Sequence, residues 1–229
     1  MNSTKKAARA AGLLYLLTSI PGAFCLIYVP SRFIVSGDAA ATASKIVASE
    51  FVFRLGIVSE LISFTGFIFV VRALYRLLSG VNKAHASLMV TLMLVSIPIS
   101  LLNVLNEIAA LTLIRGANFL SVFDKPQRDA LAMLFLNLHF QGFMVAQVFW
   151  GLWLIPFGVL VFKSGFLPRI LGVLLIIACF GYLANSLVAF GVLPHVVSRV
   201  VGQLTICELP IILWLLIRGA KDQPLGDPA

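Results

Sequence analysis

The chain has 229 residues, of which 60% are hydrophobic and 11% are charged, and its mean hydropathy is +1.04. A soluble domain cannot bury that much apolar surface, because about a quarter of the residues in ordinary globular domains are charged. The composition therefore excludes a soluble protein and predicts an all-α, polytopic membrane protein, a bundle of about six transmembrane helices forming one domain. The net charge of +8 does not indicate nucleic acid, because no soluble basic segment with interleaved aromatic residues exists.

The first half of the chain contains three apolar runs. The first covers residues 10–29, and its length predicts an uncleaved first transmembrane helix. Asp38 follows it and is expected to cap a helix that begins in the next alanine cluster and lies on the membrane surface. The second and third spans are predicted at about residues 51–78 and 86–114.

The second half contains three further runs, at about residues 137–162, 170–190 and 199–217. Before them, the sequence Asp124-Lys-Pro126 is typical of a helix start, because proline is favoured in a first helical turn. It predicts a surface helix that leads into the fourth span. Residues 218–229 are polar and contain two prolines, which predicts a disordered tail.

The basic residues predict how the chain is oriented. If the N-terminus is cytoplasmic, ten of the 17 Lys and Arg residues lie on the cytoplasmic side. This bias is clearest in the short loops, which are the loops that set orientation. We therefore expect a multi-pass protein of the bacterial cytoplasmic (inner) membrane with both termini in the cytoplasm. Membrane lipids are its predicted partners, since basic residues flanking spans attract anionic headgroups.

Polar side chains inside the spans lie at a similar predicted depth, toward the extracytoplasmic side. A charged carboxylate at the centre of a span costs about 2.5–3.5 kcal/mol, so intramembrane glutamates should face the protein interior or a wet cavity. Helical spacing places Ser96, Ser100, Asn103 and Glu107 on one face of the third span. We predict an outward-facing polar cavity with six ligand-binding residues: Glu60, Asn103, Glu107, His139, Gln147 and Glu208. Six residues are predicted to support them: Arg54, Ser100, Gln141, Asn185, Arg199 and Gln203.

Less specific interpretations explain part of this pattern. Asn, Gln, Ser and Thr side chains inside spans also join helices, at roughly 0.6 kcal/mol each, which accounts equally well for Asn106, Asn185 and Gln203. Three carboxylates and a histidine have the chemistry of a metal site, but no H-E-x-x-H or E-x-x-H motif is present. The prediction therefore contains no metal site and no cofactor. The three cysteines lie in apolar runs without C-x-x-C spacing and are predicted to be small buried hydrophobes.

Several motifs resemble a known family. They are Gly12-Leu-Leu-Tyr15, Phe149-Trp-Gly-Leu-Trp-Leu-Ile-Pro-Phe-Gly158, Lys163-Ser-Gly-Phe-Leu-Pro-Arg-Ile-Leu-Gly172, Gly181-Tyr182, and Glu208 with Trp214-Leu-Leu-Ile-Arg-Gly219. Together they resemble a bacterial integral-membrane family that carries only a domain-of-unknown-function label, number four-three-eight-six. The resemblance covers nearly the whole chain and implies a bacterial membrane protein of about six helices. It supplies no catalytic residues.

The leading functional hypothesis is a protein that binds or transports a small molecule, an ion or a proton in its polar cavity. Glu60, Glu107 and Glu208 would supply charge, and Asn103, His139 and Gln147 would orient the ligand. One alternative is an intramembrane enzyme that acts on a lipid, with or without a metal ion. Another is an accessory subunit whose polar groups bind a partner helix. Whether the protein is an enzyme stays open, as does assembly with a second copy or a partner subunit.

Overall fold

The structure is a computed structural model, and it describes residues 3–221. Within that range the regular structure is helical, with no strand. The α-helices are α1 (Ser3–Ala23), α2 (Val29–Phe33), α3 (Ala39–Ala48), α4 (Glu50–Leu78), α5 (Lys83–Arg115), α6 (Lys125–Leu152), α7 (Leu154–Lys163), α8 (Arg169–Ala189), α9 (His195–Val200) and α10 (Leu209–Ile217). A π-helix (Phe24–Tyr28) joins α1 to α2, and 3-10 helices occupy Asn118–Leu120 and Gly202–Glu208.

Six helical stretches of the described chain are long and apolar enough to cross a membrane. They are Thr4–Phe33, Glu50–Leu78, Lys83–Arg115, Lys125–Lys163, Arg169–Ala189 and His195–Ile217, called here the first to sixth spans. The predicted all-α, six-helix membrane fold is therefore confirmed, and the protein is a multi-pass membrane protein by the length and composition of its helices.

The helix starts that the sequence indicated are present. The Asp38 carboxylate accepts a hydrogen bond of 2.8 Å from the Ala41 N–H, which caps α3. The Asp124 carboxylate accepts from the Gln127 N–H at 2.8 Å, and the Gln127 side chain accepts from the Asp124 N–H at 3.0 Å. This reciprocal pair is a capping box, and it sets the start of α6 at Lys125.

The helix predicted to lead into the fourth span is present and is continuous with that span. The segment from Lys125 runs without a break into the span as the single helix α6. The physical reason is that residues 127–141 contain neither proline nor glycine, so nothing in the sequence ends the helix between its capping box and its apolar part.

The predicted tail begins with residues that have defined contacts. Ala220 is buried, and the Lys221 N–H donates a 3.0 Å hydrogen bond to the Phe166 carbonyl. The remainder of the predicted tail, residues 222–229, lies outside the described residues.

The chain divides into two compact units. The first, called here the Trp153 unit, consists of the described parts of Met1–Leu17, Gly66–Ile97 and Met144–Ala229. Trp153, Leu160 and Leu175 are fully or almost fully buried in its apolar core. Its helices also meet at glycines: a Cβ atom added at Gly172 would lie 2.5 Å from the Gly158 carbonyl oxygen, so only a residue without a side chain fits there.

The second unit, called here the His139 unit, consists of Thr18–Thr65 and Pro98–Phe143. Its apolar core includes Phe33, Ile46, Phe53 and Val104, all at most 3% exposed. The Phe33 and Phe53 rings pack edge to face with their centroids 5.6 Å apart.

Candidate functional site

The His139 unit contains a cluster of three ionisable side chains from three different spans. Glu60, Glu107 and His139 each present one ligand atom, and these atoms all lie within 4.8 Å of one another. The His139 Nε2 atom lies 3.1 Å from Glu60 Oε2 and 3.3 Å from Glu60 Oε1. Glu60 is 1% exposed and Glu107 is 6% exposed, so the cluster is shielded on the carboxylate side.

Asn103 joins the third span to the fourth beside this cluster. Its Nδ2 donates a 2.7 Å hydrogen bond to the His139 carbonyl, and its Oδ1 accepts a 3.0 Å bond from Asn106 Nδ2. A Cβ atom at Gly142 would overlap the Asn103 amide. The glycine therefore makes room for a side chain that fixes the backbone carrying the imidazole.

Glu107 has an unsatisfied oxygen. Its Oε2 atom is buried and has no hydrogen-bond partner among the described residues, and the same holds for the Oγ atom of Ser100, two turns earlier on α5. Buried polar atoms are nearly always paired in folded proteins, and a buried carboxylate without a partner is costly. Among the described residues, Glu107 Oε2 thus has no hydrogen-bond donor.

A second group of polar side chains lies in the Trp153 unit, around Glu208. The Tyr182 hydroxyl donates a 2.6 Å hydrogen bond to Glu208 Oε2, and the Tyr15 hydroxyl donates to Glu208 Oε1. Gln147 Nε2 donates to the Tyr182 carbonyl at 3.2 Å. Because both carboxylate oxygens of Glu208 have a donor, this group joins the first, fifth and sixth spans without needing a ligand.

Comparison with known proteins identifies the chain at the level of a family. A family model described as a domain of unknown function (DUF4386) matches residues 10–219. The chain belongs to this family. The matched range contains the motifs from Gly12 to Gly219 that resemble this family.

One relative of this DUF4386 protein is an uncharacterized protein of Archaeoglobus fulgidus. The two chains are 36% identical over 78 residues, which is 34% of this chain and 46% of the relative. The match thus spans about half the length of that relative. No solved structure matches the chain.

The structure of this DUF4386 chain places the six predicted ligand-binding residues in two groups. Glu60, Asn103, Glu107 and His139 belong to the His139 unit, whereas Gln147 and Glu208 belong to the Trp153 unit. A single outer cavity that contains all six stays a prediction.

The six predicted supporting residues have varied positions. Ser100 is fully buried and lies two turns before Glu107 on α5. Asn185 Oδ1 accepts a 2.8 Å hydrogen bond from the Ser198 hydroxyl. Arg54 forms its ion pair with Glu50, at 2.7 Å, and not with a member of either polar group. The remaining three, Gln141, Arg199 and Gln203, have exposed side chains in the structure.

Sequence reasoning missed two polar residues, Tyr15 and Tyr182, that the structure brings to the Glu208 group. Tyr15 and Tyr182 were part of the motifs that carry the family resemblance, but they were given no polar role. A signal for the tyrosines was available, because a tyrosine inside a span needs a partner for its hydroxyl, and a glutamate in another span can accept that bond.

Proposed function

We propose that this membrane protein binds a divalent metal ion through Glu60, Glu107 and His139. The observation that carries the proposal is a buried cluster of two carboxylates and one imidazole in which Glu107 Oε2 has no partner among the described residues. The proposal follows the ion-binding part of the functional hypothesis. It differs from the prediction that the chain contains no metal site. The membrane and the topology are proposed as predicted from sequence, a bacterial cytoplasmic membrane with both termini in the cytoplasm.

Charge is the first argument for a metal ion. Two carboxylates within 4.8 Å of each other repel when both are ionised, and the apolar surroundings of a span strengthen that repulsion. His139 offers a hydrogen-bonding or charged partner to Glu60, whereas Glu107 Oε2 has no hydrogen-bond partner among the described residues. A divalent cation between the three side chains balances both carboxylates and satisfies Glu107 Oε2.

The donor atoms are the second argument. Carboxylate oxygens and imidazole nitrogens together are typical of zinc and of neighbouring first-row metals, whereas calcium and magnesium prefer oxygen ligands alone. Metal-binding histidines are usually oriented by further hydrogen bonds. Here the Asn103 bond to the His139 carbonyl, at 2.7 Å, holds the backbone of that residue.

Metal analysis of the purified protein tests this proposal. The full chain is purified in detergent without chelator, incubated with Zn²⁺, desalted and analysed by mass spectrometry of the elements. We expect about one zinc ion per chain for the wild type, as for a specific structural or functional site, and a large loss for Glu107→Gln and His139→Ala.

Two variants serve as matched controls. His195→Ala removes a histidine that lies outside the cluster and is exposed, and Glu208→Gln removes a buried glutamate of the other unit. Both should keep the wild-type zinc content. Equal zinc in wild type and Glu107→Gln, or no zinc in the wild type, would refute the proposal.

A further inference from the structure

We propose that two basic pockets in the Trp153 unit bind the phosphate groups of anionic phospholipid headgroups. The first, called here the Lys163 pocket, has a volume of about 420 Å³, and Arg76 and Lys163 both line it. The second, called here the Lys221 pocket, has a volume of about 390 Å³, and Lys5, Arg218 and Lys221 contribute to its walls. A water molecule takes about 30 Å³ in the liquid, so each pocket has room for a phosphate group. The proposal is independent of the proposed metal site, which lies in the His139 unit.

A hydrogen-bonded turn holds one side of the Lys163 pocket. The Ser164 hydroxyl donates to the Val161 carbonyl at 2.8 Å and accepts from the Leu167 N–H at 3.1 Å. Ser164 itself lines the pocket. These two bonds fix the turn that follows Lys163, and they set where the chain carries this cation.

The segment that follows the sixth span builds the Lys221 pocket. Gly219 has a φ of +71°, and a Cβ atom added there would lie 3.1 Å from Lys5 Cγ, so the glycine lets the segment approach the first span closely. The Lys221 N–H donates a 3.0 Å hydrogen bond to the Phe166 carbonyl. Phe166 also lines the Lys163 pocket, so the two pockets are neighbours.

The cations of both pockets have no acidic partner in the described part of the unit. The one carboxylate of that part is Glu208, and its two oxygens accept hydrogen bonds from Tyr15 and Tyr182. None of the ion pairs among the described residues includes a cation of either pocket. Like charges around one cavity repel, and an anion in the cavity offsets that repulsion. Arginine and lysine are also the side chains that bind phosphate oxygens most strongly, so the pockets suit a phosphate group.

The position of the pockets along the spans indicates a lipid as the source of the phosphate. The Lys163 pocket lies where the second span ends at Leu78 and the fourth ends at Lys163, and the Lys221 pocket lies where the first begins at Thr4 and the sixth ends at Ile217. Basic pockets between transmembrane helices at the membrane surface bind anionic headgroups. Trp214 lines the Lys221 pocket, and tryptophan is enriched at the level of the headgroups.

Melting temperatures in defined mixtures of detergent and lipid test the proposal. The full chain in a neutral detergent is measured with phosphatidylglycerol, which is anionic, with phosphatidylcholine, which is neutral overall, and with inorganic phosphate. A ligand that binds the folded state raises the melting temperature. We expect phosphatidylglycerol to raise it by at least about 2 °C, at a concentration at which phosphatidylcholine and inorganic phosphate leave it unchanged.

Two double variants each remove two cations of one pocket. They are Arg76→Gln with Lys163→Gln, and Arg218→Gln with Lys221→Gln. All four side chains are exposed, so the folded state should tolerate the changes, and melting temperatures without lipid check this. Each double variant should lose a large part of the phosphatidylglycerol shift, and all four changes together should abolish it. Arg76→Lys with Lys163→Arg keeps both charges and should keep the shift.

Lys6→Gln with Arg72→Gln is the matched control. Both residues are exposed and line neither pocket, and this double variant loses the same charge as each pocket variant. It should keep the wild-type shift. Equal phosphatidylglycerol shifts in this control and in folded pocket variants would overturn the proposal, since the response would then come from charge spread over the surface. A shift of the same size with inorganic phosphate would overturn the assignment to a lipid.

Discussion

The His139 Nε2 atom lies 3.1 Å from Oε2 of Glu60, although 79 residues separate the two in the chain. This pair connects the second span to the fourth inside an apolar unit. Glu107 of the third span presents a further ligand atom within 4.8 Å of both side chains. His139 needs only one carboxylate as a partner, and Glu60 provides it. The second carboxylate, that of Glu107, is therefore the one whose function needs an explanation.

The first prediction concerns Glu107. Glu107→Gln removes a buried carboxylate oxygen that has no partner among the described residues and keeps the shape of the side chain. We expect the metal-free variant to be as stable as the metal-free wild type or more stable, because the amide is neutral and an unpaired buried charge costs more than an unpaired buried neutral group.

Melting temperatures with and without Zn²⁺ provide the measurement. A ligand at 100 times its dissociation constant stabilises a protein by about 2.7 kcal/mol, so zinc should raise the melting temperature of the wild type and leave that of Glu107→Gln unchanged. The same zinc-induced shift in both proteins would contradict the role of Glu107.

The second prediction concerns the glycine beside Asn103. In Gly142→Ala the new methyl group overlaps the Asn103 amide and should displace its hydrogen bond to the His139 carbonyl. We expect a loss of about 1–3 kcal/mol in the free energy of unfolding, as for other overpacked sites, together with weaker zinc binding. Gly80→Ala is the control, because no atom lies within 4 Å of a Cβ added there. Unchanged zinc affinity in Gly142→Ala would show that Asn103 does not orient the site.

The third prediction separates the two polar groups. Tyr182→Phe leaves Glu208 Oε2 without its 2.6 Å hydrogen bond, which should lower the free energy of unfolding by about 1–3 kcal/mol. Zinc content should not change, because Glu208 is not a member of the proposed metal site. Tyr28→Phe, at an exposed tyrosine, should change stability by less than about 0.5 kcal/mol. Loss of zinc in a folded Tyr182→Phe variant would instead tie the Glu208 group to metal binding.

The fourth prediction concerns topology. A cysteine substituted for Ser121, which is exposed, should react in intact cells with a thiol reagent that does not cross the membrane. Gly80→Cys, in the loop between the second and third spans, should react only after the membrane is opened, since we propose that this loop is cytoplasmic. The wild-type chain gives the background from its three native cysteines. The reverse pattern would invert the proposed orientation.

The sequence predicted the fold through strong local signals. Long apolar runs identified all six spans, because their length relates directly to membrane thickness. Asp38 and Asp124 identified helix starts, since capping depends on residues close in the chain. The helix start at Asp124 also identified the helix that leads into the fourth span, which α6 continues without a break.

Sequence reasoning identified the residue types of the site but not their grouping. Because burying a carboxylate in a span is costly, Glu60, Glu107 and Glu208 were all predicted as ligand-binding residues. Which partners each one finds depends on helix packing: Glu208 receives two tyrosine hydroxyls, whereas Glu60 faces His139. The depth of a residue along its span does not determine how each helix is rotated about its axis. The sequence also has no local metal-binding motif that would indicate which residues face one another.

The central claim is that Glu60, Glu107 and His139 form a site for a divalent metal ion. Titration of the metal-stripped, full-length protein with Zn²⁺ against a fluorescent chelator tests it most directly. We predict a single saturable site of about one ion per chain in the wild type and no saturable binding in a folded Glu60→Gln, Glu107→Gln, His139→Ala triple variant. Identical binding curves for the wild type and the triple variant would contradict the claim.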